Sequence, residues 1–232
     1  MHTPMNGNQN MGQDLMGKIS AFRLNFFLSM FHCNVCVETG TGAGDGLKFA
    51  ARHKGFERLY SCEIEPVLYE KVKHLESSRI HIMNCKSDEF LQTLAAMLEP
   101  DDICLFWLDA HFPGADFGLK SYEAEANIDT RLPLKSELKV LKSQRDLSRD
   151  VLIIDDLRIY EKGPFGAGNV PERYLPAIPR NLDWEEVQNM FSGSHAAVRD
   201  YRHEGYFILV PKGNRIGTFL VKQFPFLLKA NG

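Results

Sequence analysis

The residues that most invite chemistry are acids that close apolar runs. Phe106-Trp107-Leu108-Asp109-Ala110-His111 and Ile153-Ile154-Asp155-Asp156 both have this form. Carboxylates brought together repel one another unless a proton or a cation neutralises them. A hard divalent ion such as Mg²⁺ prefers carboxylate and water oxygens, which makes Asp109, Asp155 and Asp156 candidate metal ligands. His111 adds an imidazole that can accept a proton from a hydroxyl near neutral pH. Asp109 and His111 are therefore the candidate catalytic bases. The plainer readings are a loop histidine bonded to a carboxylate and an Asp-Asp turn that caps the next segment.

A second cluster lies upstream, in Val35-Cys36-Val37-Glu38-Thr39-Gly40-Thr41-Gly42-Ala43-Gly44-Asp45-Gly46. Glycines between a strand and a helix let backbone amides approach a ligand with no Cβ in the way. Glu38, just before them, would repel the pyrophosphate of a dinucleotide but suits a ligand carrying a sulfonium and an ammonium. Glu63 follows Gly44 by 19 residues, the place and distance for a carboxylate that takes both ribose hydroxyls. Ser87-Asp88 stands where a polar side chain could meet an adenine amine. The candidate cofactor set is Glu38, Gly40, Thr41, Gly42, Gly44, Glu63, Ser87, Asp88 and Asp109.

These residues need strands ending at one edge, and the hydrophobic pattern supplies them. Apolar runs at Val35–Val37, Arg58–Cys62, Ile80–Asn84, Ile103–Leu108 and Val151–Ile154 read as strands. Between them Leu47–His53, Pro66–Leu75, Phe90–Leu98 and Leu134–Leu147 read as helices, and Leu15–Phe31 as a helix before the first strand. Such alternation implies βαβ units and a mostly parallel sheet covered on both faces. Tyr206–Val210 and Thr218–Val221 read as a hairpin about the turn Lys212-Gly213-Asn214, with Ala196–Tyr201 a further candidate strand. Lys135, Glu137, Lys139 and Lys142 read as a solvated helix face, and Trp184, Tyr201 and Phe207 as core.

In its acidic residue followed by GxGxG, and in strand order over residues 35–156, the chain resembles the class I S-adenosylmethionine-dependent methyltransferases. The carboxylates at 109, 155 and 156 are similar in position to those of the macrocin-type, metal-dependent sugar O-methyltransferases. That resemblance implies an α/β, Rossmann-like, doubly wound seven-stranded sheet with a C-terminal antiparallel hairpin. It implies S-adenosylmethionine as cofactor, a metal that binds acceptor hydroxyls, and the strand-four Asp as a base. His111 departs from the pattern, since that family tends to carry a second acid there. A nicotinamide-dependent oxidoreductase would want G-x-G-x-x-G, and the third glycine is here Asp45. A non-catalytic cofactor-binding module is the other alternative, because a fold alone proves no function.

The bulk numbers set outer limits. A hydrophobic share of 44%, 25% charged residues and a net charge of −3 describe a globular chain with no basic excess, so no nucleic-acid partner is expected. No apolar run reaches the roughly 18 residues that cross a bilayer, so no membrane partner is expected either. Residues 1–14 read as a flexible polar leader without a signal-peptide layout, and 15–232 as one domain with insertions at about 112–131 and 157–179. The five cysteines are odd in number. Cys33 and Cys36 have CxxC spacing but run into an apolar strand, which favours buried thiols in a reducing, cytoplasmic setting. The apolar tail Phe219–Leu228 is expected to pack on its own sheet or on a partner, a homo-oligomer included. The expected acceptor is a small hydroxylated molecule.

Overall fold

The computed structural model describes residues 18–178 and 184–230. The polar leader at 1–14 and the start of the expected first helix lie outside these residues. Seven strands form one sheet: β1 (Val35–Thr39), β2 (Arg58–Cys62), β3 (Ile80–Met83), β4 (Cys104–Leu108), β5 (Val151–Ile154), β6 (His195–Asp200) and β7 (Tyr206–Pro211). Their order is β3-β2-β1-β4-β5-β7-β6. The first five run parallel, and β7 runs antiparallel to both β5 and β6. The expected doubly wound, mostly parallel sheet with a C-terminal antiparallel pair is therefore the observed one.

Helices α2 (Asp45–Ala51), α3 (Pro66–Val72), α4 (Ser87–Ala95) and α6 (Leu134–Gln144) connect the parallel strands. Before them comes the short α1 (Leu24–Phe26), within the first insertion lies α5 (Ile128–Arg131), and α7 (Trp184–Met190) and α8 (Arg215–Gln223) complete the set. Side chains alternate across the sheet, as a two-residue period requires. In β4, Leu105 and Trp107 join the core with Phe22, Phe27 and Tyr206, while Phe106 and Leu108 face Phe90 and Leu138 on the other side. The central strands β1, β4, β5 and β7 are buried along their whole length, which is why they read as unbroken apolar runs.

Two expectations fail. The N-terminal segment is not one helix but a 3₁₀ turn at Ile19–Ala21, then α1, then a π turn over Phe27–Phe31. Phe22 causes the break: it is fully buried against Tyr206 and Trp107, with ring centroids 4.8 and 5.9 Å away. Its backbone is extended and bridges Lys229. The second failure is the strand expected at Thr218–Val221, which lies inside α8. Asn214 starts that helix by accepting a bond from the Gly217 amide at 2.8 Å, so Lys212-Gly213-Asn214 leads into a helix cap and makes no hairpin. The hairpin partner of β7 is β6, at the third candidate strand.

The two insertions pack on each other. Phe112 and Ala115 from the first, with Leu132 just after it, meet Ile159 and Ala177 from the second in a small apolar cluster of their own. Tyr122 and Tyr174 join them, ring centroids 4.6 Å apart. This cap stands over the C-terminal ends of the parallel strands. No helix among the described residues is long and apolar enough to cross a membrane.

Candidate functional site

The C-terminal ends of β1, β2, β4 and β5 and the cap enclose a cleft of about 1050 Å³. Open parallel sheets bind ligands at this edge. Its lining includes eight aspartates and glutamates against four lysines and arginines.

On the β1–β2 side Glu38, Gly40, Thr41, Gly42 and Glu63 line the cleft, whereas Gly44 does not and packs toward Val72 and Leu75. The amides of Gly40 and Thr41 donate to the Cys62 carbonyl at 3.0 and 2.9 Å, which folds the loop onto the end of β2. A Cβ on Gly40 would stand 3.0 Å from the Asp109 carbonyl oxygen, and its φ of +82° already disfavours any side chain. At Gly42 a Cβ would come within 2.7 Å of the Phe117 ring, so the first insertion lies directly on the loop. The Gly42 amide donates to Glu63 Oε2 at 2.8 Å, and the Glu65 amide donates to Glu63 Oε1 at 2.8 Å. Both oxygens of Glu63 are thus aimed and still have lone pairs for a ligand. Glu38 accepts from the Ser61 hydroxyl at 2.7 Å, and Ser61 is bonded to Thr41 at 2.6 Å. Burial pushes the Glu38 carboxyl up to about 8 against that hydrogen bond, with repulsion from Asp109 and Glu63 adding to the rise.

Ser87, at the start of α4, is buried and lines the cleft, and Asp88 lines it from a half-buried position. Beneath them is a residue the sequence reading misplaced. Glu137 is 1% exposed, not part of a solvated face, and lies close to Ser87 and Thr39, with burial raising its carboxyl to about 7. The helical period of α6 contained the signal, because Leu134, Glu137, Leu138 and Leu141 share the buried face. Lys139 and Lys142 are exposed as expected.

At β4 and β5 the predicted chemistry also converges. Asp109 follows β4, takes the Trp107 indole N–H on Oδ2 at 3.1 Å, and bonds its own amide to Thr39. His111 Nε2 lies 2.7 Å from Asp156 Oδ2, and Nδ1 lies 3.5 Å from Asp109 Oδ1. Burial pushes the imidazole down, but Asp156, Asp109 and Asp116 more than reverse this and hold it well above the usual histidine range. Asp109, His111 and Asp156 line the cleft. Asp155 lies behind them beside Asp109, 4% exposed, with no well-formed hydrogen bond to either oxygen among the described residues; the adjacent Asp156 amide offsets its burial only in part. Asp156 Oδ1 also lacks such a bond; Arg158 Nε approaches it only to 3.5 Å. Unpartnered buried carboxylate oxygens are costly, and this set has the hard-donor chemistry that suits Mg²⁺. Among the described residues no three His, Cys, Asp or Glu side chains are grouped as a metal site. Cys33 and Cys36 are buried free thiols in the core.

No protein-family model matches the sequence, and no curated protein matches it either. Solved structures do. The chain is similar to a protein assigned as a caffeoyl-CoA O-methyltransferase from Staphylococcus aureus, with 12% identity and a TM-score of 0.53 over 82% of this chain and 83% of that one. It is also similar to a spermidine synthase solved with the transition-state analogue AdoDATO, with 12% identity and a TM-score of 0.50 over 88% of this chain and 65% of that one. The chain therefore spans just under two thirds of that second protein. At such identities the likeness shows the fold, a Rossmann-like methyltransferase fold.

Proposed function

We propose that this protein is an S-adenosylmethionine-dependent methyltransferase acting on a small hydroxylated acceptor such as a sugar or glycosylated metabolite. One observation carries the reading. Glu63 uses the Gly42 amide as a donor at 2.8 Å, so an amide that a pyrophosphate would need is spent on a carboxylate. With Glu38 behind it, the loop favours a cationic ligand whose ribose reaches Glu63. A nicotinamide dinucleotide would bring two phosphates into this acidic floor.

The acceptor would enter under the cap, between the cofactor and the Asp109–His111–Asp156 group. Methyl transfer is an in-line displacement, so holding the acceptor oxygen against the methyl supplies much of the rate. Asp109 is the better placed of the two candidate bases, because both nitrogens of His111 already face carboxylates. His111 would then hold Asp109 and Asp156 in position. Asp109, Asp155 and Asp156 would hold a divalent cation such as Mg²⁺ after a small rearrangement about His111. Its chemistry there would be to orient an acceptor hydroxyl and lower its pKa; the three oxygens without a well-formed hydrogen bond support it.

The test is methyl-labelled S-adenosylmethionine incubated with the protein and a pool of polyhydroxylated metabolites, with and without chelator. Label should move to a hydroxyl, and chelator should abolish the transfer. Transfer that chelator leaves unchanged removes the cation. No transfer to any hydroxylated compound removes the acceptor class.

A further inference from the structure

Four of the eight large apolar side chains exposed among the described residues lie in one short stretch. On α8, Ile216 is 70% exposed and Phe219 57%. Phe224 follows at 42%, and Phe226, in the 3₁₀ turn Pro225–Leu228, at 59%. Single exposed apolar residues are ordinary, but a run of them along one helix and its next turn marks a contact surface.

The stretch is firmly seated. Gly217 and Val221 turn inward, and a Cβ on Gly217 would stand 2.8 Å from the Phe31 ring. The Asn214 amide nitrogen donates to the Met30 carbonyl at 2.6 Å. Beyond the helix, the Arg23 amide donates to the Leu228 carbonyl at 2.8 Å and the Ala230 amide to the Ala21 carbonyl at 3.0 Å. Leu228 itself is fully buried. With Gly217 and Val221 inside, about 3.6 residues per turn puts Arg215, Ile216, Phe219 and Lys222 on the outward side of α8, and all four are exposed.

Charge selects the occupant. Glu204 is the last acid in the sequence, and after it come Lys212, Arg215, Lys222 and Lys229, in a chain whose net charge is −3. All four cations are exposed, and Arg215, Lys222 and Lys229 make no ion pair among the described residues. A second copy of the chain fits such a face poorly, because a twofold contact sets one patch against itself and would oppose cation to cation. An anionic lipid surface meets both features. Aromatic and aliphatic side chains enter the headgroup boundary while lysines and arginines meet the lipid charge.

We propose that α8 and the turn after it dock this protein on the surface of an anionic bilayer. Phe219, Phe224 and Phe226 enter the interface, and Arg215, Lys222 and Lys229 face the charged headgroups. The expectation of no membrane partner weighed only runs long enough to span, and a helix that lies in the interface needs none. Such docking is peripheral and reversible, and it holds whatever ligand fills the cleft.

The test is co-sedimentation of the full-length protein with vesicles of phosphatidylcholine, with and without phosphatidylserine. The protein should bind the mixed vesicles, leave them as salt is raised, and ignore pure phosphatidylcholine. The double variant Phe219→Ser, Phe226→Ser should bind at least about tenfold more weakly. Lys222→Gln should bind about fivefold more weakly. Lys71→Gln, exposed on α3, should bind as wild type does. No binding to mixed vesicles, equal binding to both compositions, or an equal loss in Lys71→Gln would overturn the proposal. So would a dimer in sedimentation velocity that the double variant dissolves, because the face would then belong to a second copy.

Discussion

The two halves of the cleft differ in how their carboxylates are satisfied. At the ends of β1 and β2, Glu63 has a backbone amide on each oxygen and Glu38 has the Ser61 hydroxyl. At the ends of β4 and β5, among the described residues, Asp155 has no well-formed hydrogen bond on either oxygen and Asp156 has none on Oδ1. The first half is finished by the fold alone and is pre-shaped for a ligand whose form does not vary. The second half leaves charge that something entering the cleft must complete. On the proposed function, binding and chemistry are divided between two strand pairs, and each should be open to separate damage.

The largest separation is expected at Asp109. Asp109→Asn should lower methyl transfer by roughly 10²- to 10⁴-fold and leave S-adenosylhomocysteine affinity within a few-fold, read by labelled transfer and calorimetry. Equal loss of both would merge the halves. The opposite pattern is expected at Gly40. Gly40→Val places a side chain at a φ of +82° with its Cβ 3.0 Å from the Asp109 carbonyl oxygen, so cofactor binding should fall below detection. The substitution should also lower the free energy of unfolding by about 1–3 kcal/mol, read by denaturant titration. Next is Glu63→Gln, which keeps the shape but loses the charge. Cofactor affinity should drop about tenfold, as for a lost charged hydrogen bond. Unchanged affinity would mean that the ribose does not reach Glu63.

The smallest effect belongs to Glu38. Its carboxyl is raised from 4.5 to about 8 in the folded protein. The stabilisation it gives is complete below about pH 4.5 and is lost as pH rises through about 8. The unliganded protein should therefore melt progressively lower across that window, and Glu38→Gln should flatten part of the slope. A cationic cofactor favours the ionised form, so binding at pH 7 should release a fraction of a proton, seen as a dependence on buffer ionisation enthalpy. Proton uptake there would contradict a cation beside Glu38.

What could be read from the chain follows the same division. The placement of the β1 loop and Glu63 in the cleft was legible because it depends on local spacing: a strand end, glycines, and an acid one βαβ unit later. The strand-end carboxylates were legible for the same reason. Glu137 was not, because the lysines around it on α6 outweighed the apolar period that buries it. Phe117 and Lys18 were invisible because they reach the cleft through long-range packing, one from an insertion and one from a segment pinned by Tyr206. The false strand at Thr218–Val221 shows the limit of a short apolar run, where a helix and a strand look alike until the cap at Asn214 is seen.

The most direct test of the central claim is calorimetric titration of the wild-type protein with S-adenosylhomocysteine and, separately, with NADH. The account predicts saturable binding of S-adenosylhomocysteine, one per chain, that Gly40→Val abolishes, and no heat from NADH. Saturable binding of NADH with none of S-adenosylhomocysteine would contradict it.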